Sequence, residues 1–339
     1  LLLDVIAVDP SLHADTAAFL KAASWGALGL ATFFALRFFC EGLGYTRATL
    51  YVSAMGLLVL IPLGYGLIFG RFGFAEHGAV GAGIALACTV WLQAVAMAIF
   101  VLHHPRFADL HLLRGFSRPR WSLIRDLLGL GLPIAIMILM EGSLFVVTAL
   151  LIGSLGANAV ASHQVAINVA SITFMVPLGI GMATTVRVGH AVGAGDAQRA
   201  RRAAEAGLLL AITAQLVSAT MLAAFAPQIA ALYTGDLVVG SLAAQLMVYA
   251  AIFQFSDGLQ VVAASALRGL KDARVPALLT AIAYWGIGMS VGWYCAFRLG
   301  RGAPGMWIGL IAGLTAAATL LLTRLFLRLR RLPRDIDGL

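Results

Sequence analysis

Charged side chains are scarce in this sequence. Asp, Glu, Lys and Arg make up 11% of the 339 residues, whereas 61% of the residues are apolar. Because a water-soluble domain carries about 25% charged and about 45–50% apolar residues, the composition excludes a soluble globular fold. It also excludes disorder, which requires low hydrophobicity together with high charge. The sequence therefore predicts an integral membrane protein.

Cysteine and the motifs of catalysis are also rare or absent. Cys40, Cys88 and Cys295 lie far apart and match no metal-binding or redox spacing. The segment 192–196 (VGAGD) lacks the Lys-Ser/Thr that completes a phosphate-binding loop, and no HExxH or Ser–His–Asp set occurs. The net charge of +8 does not indicate nucleic acid, because a membrane protein concentrates basic residues in its loops. We expect no enzymatic activity, no cofactor and no nucleic-acid partner.

Long apolar runs dominate what remains. A membrane helix needs about 20 mostly apolar residues, and nothing in the sequence resembles the alternating strands of a barrel. The runs predict an all-α membrane protein with nine transmembrane helices in this chain. Their expected spans are 17–39, 50–70, 78–102, 128–152, 160–186, 205–228, 240–266, 276–298 and 303–325.

The basic residues of the loops predict the orientation. Seventeen Lys and Arg residues fall in loops on one side of the membrane, whereas only Arg71 and Arg301 fall on the other. The positive-inside rule then places the C-terminus in the cytoplasm and residue 1 outside. We therefore expect a multi-pass membrane protein.

An internal repeat predicts two lobes. Residues 78–86 match residues 302–310, and residues 42–47 match residues 269–274, at nearly the same offset. Six spans, an even number, separate the copies, so the halves run parallel and are related by an axis along the membrane normal. We therefore expect a twelve-helix protein of two six-helix lobes, three helices of which precede residue 1.

Four regions follow from this interpretation. They are the remainder of the N-terminal lobe with three helices (1–102), a cytoplasmic linker between the lobes (103–127), a C-terminal lobe of six helices (128–325) and a basic cytoplasmic tail (326–339).

Two acids, Glu141 and Asp257, are the formally charged residues inside the predicted spans and away from their ends. A carboxylate near mid-membrane costs about 2.5–3.5 kcal/mol or more, so it needs a partner or a cavity and usually marks an ion path. Two acids in one lobe repel each other unless a proton or a cation lies between them. We predict a site for H⁺ or Na⁺ at this pair. A carboxylate that serves packing alone is the alternative.

Polar neighbours are expected to line a small cavity around these acids. Gln254 and Gln260 lie three residues before and after Asp257. Gln164 and Asn168 lie four apart and share a face of another helix. With Ser256, they form the predicted polar lining of an otherwise apolar cavity, suited to an amphiphilic cation.

Several short runs stand in a characteristic order and spacing. They are residues 161–168 (ASHQVAIN), 174–179 (FMVPLG), 186–189 (VRVG), 193–196 (GAGD), 255–257 (FSD) and 267–274 (LRGLKDAR), together with Glu141 and, in the first half, 40–42 (CEG) and 46–47 (TR). In this combination they resemble the multidrug and toxic compound extrusion (MATE) family, NorM branch. The resemblance covers nearly the whole chain and implies a protein of the bacterial inner membrane.

The resemblance implies a twelve-helix antiporter that exports cationic, amphiphilic drugs and dyes in exchange for inward Na⁺ or H⁺. It also implies that Glu141 and Asp257 form the cation site of the second lobe. The chain departs from the family at Phe253, where a Tyr is frequent, so a hydroxyl ligand is lost and an aromatic wall of the cavity remains. We expect the protein to be a monomer in the lipid bilayer.

Two other functions stay open at this stage. A flippase for lipid-linked precursors, from the same superfamily, is expected to carry a basic cavity, and no Arg or Lys lies in the middle of a predicted span. A non-transporting membrane scaffold would have no use for two acids inside the membrane.

Overall fold

The computed structural model describes residues 13–110 and 120–332, and helices account for nearly all of them. Eight helices in this part of the chain are long and apolar enough to cross a membrane, and the count is nine if a bent pair forms one span. In chain order the helices are α1 (His13–Ser24), α2 (Ala27–Gly42), α3 (Arg47–Phe69), α4 (Gly78–His103), α5 (Trp121–Gly153), α6 (Ala157–Gly193), α7 (Ala197–Tyr233), α8 (Leu237–Gly269), α9 (Arg274–Arg298) and α10 (Ala303–Arg330).

The chain divides into two compact units, one up to residue 118 and the other from residue 119. In the first unit, α4 packs against α1, α2 and α3. Phe33, Cys40 and Met97 belong to the apolar core of this unit. Arg37 forms a salt bridge of 2.8 Å with Glu41, one turn later on α2. This salt bridge neutralises the charge of a buried acid.

The predicted span 17–39 is divided rather than straight. Helices α1 and α2 meet at an angle of 41°. At the break, the carbonyl oxygen of Trp25 accepts a hydrogen bond from the indole nitrogen of Trp91 at 2.8 Å. A Cβ atom at Gly26 would lie 2.9 Å from the Cα of Ala87, so the chain passes α4 at a distance that glycine permits. The bend follows from these contacts with α4.

Helix α8 runs through the middle of the second unit and packs against α6, α7 and α10. Every residue from Gln260 to Leu267 is buried. Apart from Gln260 and Ser265, this stretch consists of small and branched apolar residues around the whole helix, as expected for a helix enclosed by others. Polar groups in the buried part of α8 therefore lie in the interior of the unit.

Helix α9 departs from the regular α-helix expected for the span 276–298. Residues 282–289 and 294–298 adopt wider, π-helical turns. This helix lies against α10 through glycines: a Cβ atom at Gly313 would lie 2.9 Å from the Cα of Gly288. Small residues at such an interface let two helix backbones approach closely.

Two of the expected regions begin or end within helices. Residues 121–127, assigned from the sequence to the cytoplasmic linker, form the first turns of α5, and residues 326–330 of the expected tail continue α10. Polar side chains such as Arg125 and Asp126 allow α5 to extend beyond its apolar stretch. The linker residues 111–119 and the tail residues 333–339 lie outside the described part of the chain.

Candidate functional site

Glu141 and Asp257 come together through one shared amide. The side-chain nitrogen of Gln260 donates to Oε1 of Glu141 at 3.0 Å and to Oδ1 of Asp257 at 3.3 Å. Gln260 lies nearly one turn after Asp257 on α8, and Glu141 lies on α5. The two carboxylates are therefore neighbours, although 116 residues separate them in the sequence.

Both acids line a cavity of about 190 Å³ in the second unit. The lining consists of Glu141, Phe145, Ile167, Ala170, Ser171, Phe174, Phe253 and Asp257. Three aromatic rings thus face the same space as two carboxylates. Small-molecule pockets usually measure about 300–1,000 Å³, whereas one water takes up about 30 Å³. The space suits an ion with a few waters, or part of a larger cationic molecule.

Phe253 packs against the ring of Trp307. The two rings lie 5.6 Å apart in an edge-on arrangement, and both side chains are buried. The indole nitrogen of Trp307 donates to Nδ1 of His163 at 3.2 Å. His163 therefore joins the aromatic support and is not part of the cavity lining. Trp307 is a supporting residue for which the sequence offered no signal.

Gln254 turns away from the acids. Its side-chain oxygen accepts a hydrogen bond from the hydroxyl of Ser218 at 2.6 Å, and its carbonyl oxygen accepts one from Gln215 at 2.9 Å. These partners lie on α7, whereas Gln260 points towards α5. The two glutamines flank Asp257 but serve different helix contacts.

Three further residues of the predicted polar lining do not line the cavity that holds the two acids. Gln164 and Asn168 are exposed, and Asn168 accepts a hydrogen bond from the hydroxyl of Tyr233 at 2.8 Å. The hydroxyls of Ser256 and Thr315 lie 2.8 Å apart, which joins α8 to α10. The expected polar cluster is thus smaller than the sequence indicated, because these side chains leave their helices in other directions.

Two residues near the acids had no assigned role in the sequence analysis. Arg268, half-buried near the end of α8, interacts electrostatically with Glu141. Tyr284 on α9 is fully buried, and its hydroxyl has no hydrogen-bond partner among the described residues. Its electrostatic neighbours are Glu141, Asp257 and Arg268. A signal for Arg268 existed: it follows Asp257 by eleven residues, or three helical turns, and so lies on the same face.

The arrangement supplies oxygen ligands rather than a transition-metal site. The described residues hold no group of three or more His, Cys, Asp or Glu side chains that is suited to a metal ion. The two carboxylates and the hydroxyl of Ser171, which lines the same cavity, are oxygen donors of the kind that a hard cation prefers. The same pair can share a proton, since two adjacent carboxylates do not readily both ionise.

The fold defines a multi-pass helical membrane protein with an acidic cavity in its second unit. Residues 133–294 match the sequence model of the family described as MatE, and curated relatives named NorM match most of the chain at about 50% identity. The chain therefore belongs to the multidrug and toxic compound extrusion (MATE) family of transporters, in its NorM branch.

Curated relatives support this membership along the chain. The protein named "Probable multidrug resistance protein NorM" of Xylella fastidiosa is 51% identical over 320 residues, which is 94% of this chain and 68% of that protein. "Multidrug resistance protein PmpM" of Pseudomonas aeruginosa is 41% identical over 342 residues, which is 100% of this chain and 72% of that protein.

A solved structure supports the fold. The eukaryotic MATE transporter AtDTX14 superposes with a TM-score of 0.88, covering 97% of this chain and 74% of that chain at 21% identity. A sequence identity this low supports the fold alone.

Proposed function

We propose that this protein exports cationic, amphiphilic drugs or toxic compounds in exchange for Na⁺ or H⁺, and that Glu141 and Asp257 bind the coupling cation. The observation that carries the proposal is the bridge from Gln260 to both carboxylates inside a cavity with aromatic walls. The relatives named as multidrug resistance proteins support the drug class.

The carboxylate pair gives the cation its binding energy. Each acid lies within the membrane-spanning part of its helix, where an isolated negative charge is costly. A Na⁺ ion or a proton between the two carboxylates relieves their repulsion, while Gln260 keeps both oriented. Phe145, Phe174 and Phe253 offer ring faces that attract an organic cation.

Exchange then follows from competition. The coupling cation and the drug both favour the negative cavity, so uptake of one promotes release of the other. For the gradient of the ion to drive export, the ion must bind the two conformations of the transporter with different affinity. The protein acts as a monomer in the bacterial inner membrane, with its C-terminus in the cytoplasm.

The test is ethidium accumulation in energised, pump-deficient bacteria that express the gene encoding this chain. We expect wild type to lower accumulation, and Asp257→Asn or Glu141→Gln to return it to the level of cells without the gene. Glu205→Gln is the matched control, because Glu205 is an exposed acid of α7 outside the cavity lining. Membrane expression of all four proteins must be equal.

The outcomes separate the parts of the proposal. If both cavity variants still export ethidium, the cation site is assigned incorrectly, although export stands. If wild type has no effect on a panel of cationic dyes, drug export is wrong. Repeating the assay with and without Na⁺ at fixed pH identifies the coupling ion.

A further inference from the structure

A groove between α6 and α7 carries three arginines and shares no lining residue with the carboxylate cavity. Its volume is about 460 Å³, and Arg187, Arg199 and Arg202 line one part of it. All three side chains are exposed. Arg187 lies near the end of α6, and the other two lie in the first turns of α7, so the basic part is at the helix ends.

Among the described residues, no carboxylate lines this groove. Within the same part of the chain, the three guanidinium groups make no hydrogen bond or ion pair. Of the nearest acids in the sequence, Asp196 caps α7 by accepting from the backbone nitrogen of Arg199 at 2.7 Å, and Glu205 is not in the lining.

Neighbouring arginines behave differently. Arg201 donates to the carbonyl oxygen of Leu329 at 2.9 Å. Arg324 and Arg328 both reach Asp272, at 2.8 Å and 2.6 Å. These arginines have partners within the protein. The three arginines of the groove do not, so their positive charges remain available to an anion.

The rest of the groove is mostly apolar. Ile180 and Ala183 of α6 and Ala203, Ala206 and Leu210 of α7 continue the lining away from the arginines. The hydroxyl of Thr184, the one other polar side chain in the described lining, is used within α6 by donating to the carbonyl oxygen of Ile180 at 2.8 Å. Leu210 is 58% exposed, as expected of a side chain that faces acyl chains. A ligand that fits this groove has an anionic group at one end and a hydrocarbon chain at the other.

We infer that this groove binds an anionic phospholipid, with its phosphate headgroup at Arg187, Arg199 and Arg202 and an acyl chain along the apolar part. Arginine suits a phosphate because its planar fork donates two parallel hydrogen bonds. Basic pockets between transmembrane helices on the cytoplasmic side are known to take such headgroups. The site is independent of the export proposed above.

The experiment is native mass spectrometry of the protein, purified from membranes in a neutral detergent and titrated with dioleoyl-phosphatidylglycerol or dioleoyl-phosphatidylcholine. We expect wild type to bind the anionic lipid at least about fivefold more tightly than the neutral one. Each basic residue near a lipid surface contributes about 1 kcal/mol to binding, which corresponds to about fivefold in affinity. The variants R187Q, R199Q and R202Q should therefore each weaken the binding of phosphatidylglycerol about fivefold.

The control is a triple variant with the same charge change outside the groove, R47Q/R330Q/R331Q, at three exposed cytoplasmic positions. We expect it to keep the lipid preference that R187Q/R199Q/R202Q loses. Equal loss in both triple variants would overturn the site in favour of general charge attraction. If inorganic phosphate displaces phosphatidylglycerol at a similar concentration, the ligand is a free anion and the lipid assignment is wrong. Should the groove triple variant fail to fold, the single variants carry the same test.

Discussion

At the scale of single residues, the amide of Gln260 has an unusual task, since one nitrogen serves two carboxylates. Leucine at this position has a similar size but no donor. A hydrogen bond to a charged group contributes about 1.5–3 kcal/mol, so Q260L should lower the free energy of unfolding by about that amount. Because Gln260 orients both acids for the cation, its loss should also weaken cation binding, and the coupling ion should therefore stabilise Q260L less than wild type.

Thermal unfolding in detergent measures both effects, first in a Na⁺ titration at fixed pH and then in a pH titration without Na⁺. Q254L is the matched control, because Gln254 is buried on the same helix but pairs with Ser218. We expect it to lower the melting temperature at every ion concentration alike. If the two variants respond identically to the ion, Gln260 does not organise a cation site.

The sequence identifies the two acids but not the direction of their neighbours. Glu141 and Asp257 are recognisable because charge inside a membrane span is costly wherever it points. Gln254 and Gln260 each lie three residues from Asp257, yet six residues correspond to an angle of about 120° around a helix. One therefore faces α7 and the other faces α5. Which helix occupies each side is set by tertiary packing, which no local pattern in the sequence contains.

At the scale of helices, the glycines of α9 and α10 control how closely the two backbones approach. A Cβ atom at Gly309 would meet the backbone of Gly292, which has no flexible end to move aside. We expect G309A to force the helices apart at a cost of about 1–3 kcal/mol, which lowers the melting temperature by several degrees.

Gly286→Ala is the control for this prediction. Gly286 is exposed on α9, the partner helix of this contact, and a Cβ atom there would lie 3.8 Å from Cγ2 of Ile282, an ordinary contact. Its melting temperature should stay within about a degree of wild type or rise slightly, because alanine restricts the unfolded chain. A stable G309A protein would show that the close approach is dispensable.

The number of long apolar helices is predictable from the sequence, whereas their internal irregularities are not. The span 17–39 has the composition of one helix, but Trp91 and Ala87 of α4 stabilise a break at Trp25 and Gly26. In the span 276–298 the only proline is its first residue, Pro276, so no proline lies at the π-helical turns of residues 282–289 and 294–298. Both features arise from contact with another helix, and a run of apolar letters carries no information about that partner.

At the scale of the whole molecule, the distribution of basic residues predicts how the chain sits in the membrane. Arginines cluster at three places: the helix ends beside the α6–α7 loop, the helix ends beside the α8–α9 loop, and the end of α10. These places hold Arg187, Arg199, Arg201, Arg202, Arg268, Arg274, Arg328, Arg330 and Arg331. All three lie on one side if every helix crosses once. By the positive-inside rule this side is the cytoplasm. The three groove arginines then face the inner leaflet, whose anionic lipids match the proposed ligand.

Reporter fusions test this orientation directly. Green fluorescent protein joined after Leu332 should fluoresce, because it folds in the cytoplasm, while alkaline phosphatase at the same position should be inactive. The loop 71–77 contains one Lys or Arg residue, Arg71. Alkaline phosphatase inserted in this loop should be active, because the enzyme needs the oxidising outer side of the membrane. Phosphatase activity from the Leu332 fusion would reverse the orientation. The arginine groove would then face the outer leaflet of the inner membrane, and the same reversal would change the direction in which the carboxylate pair couples ion entry to export.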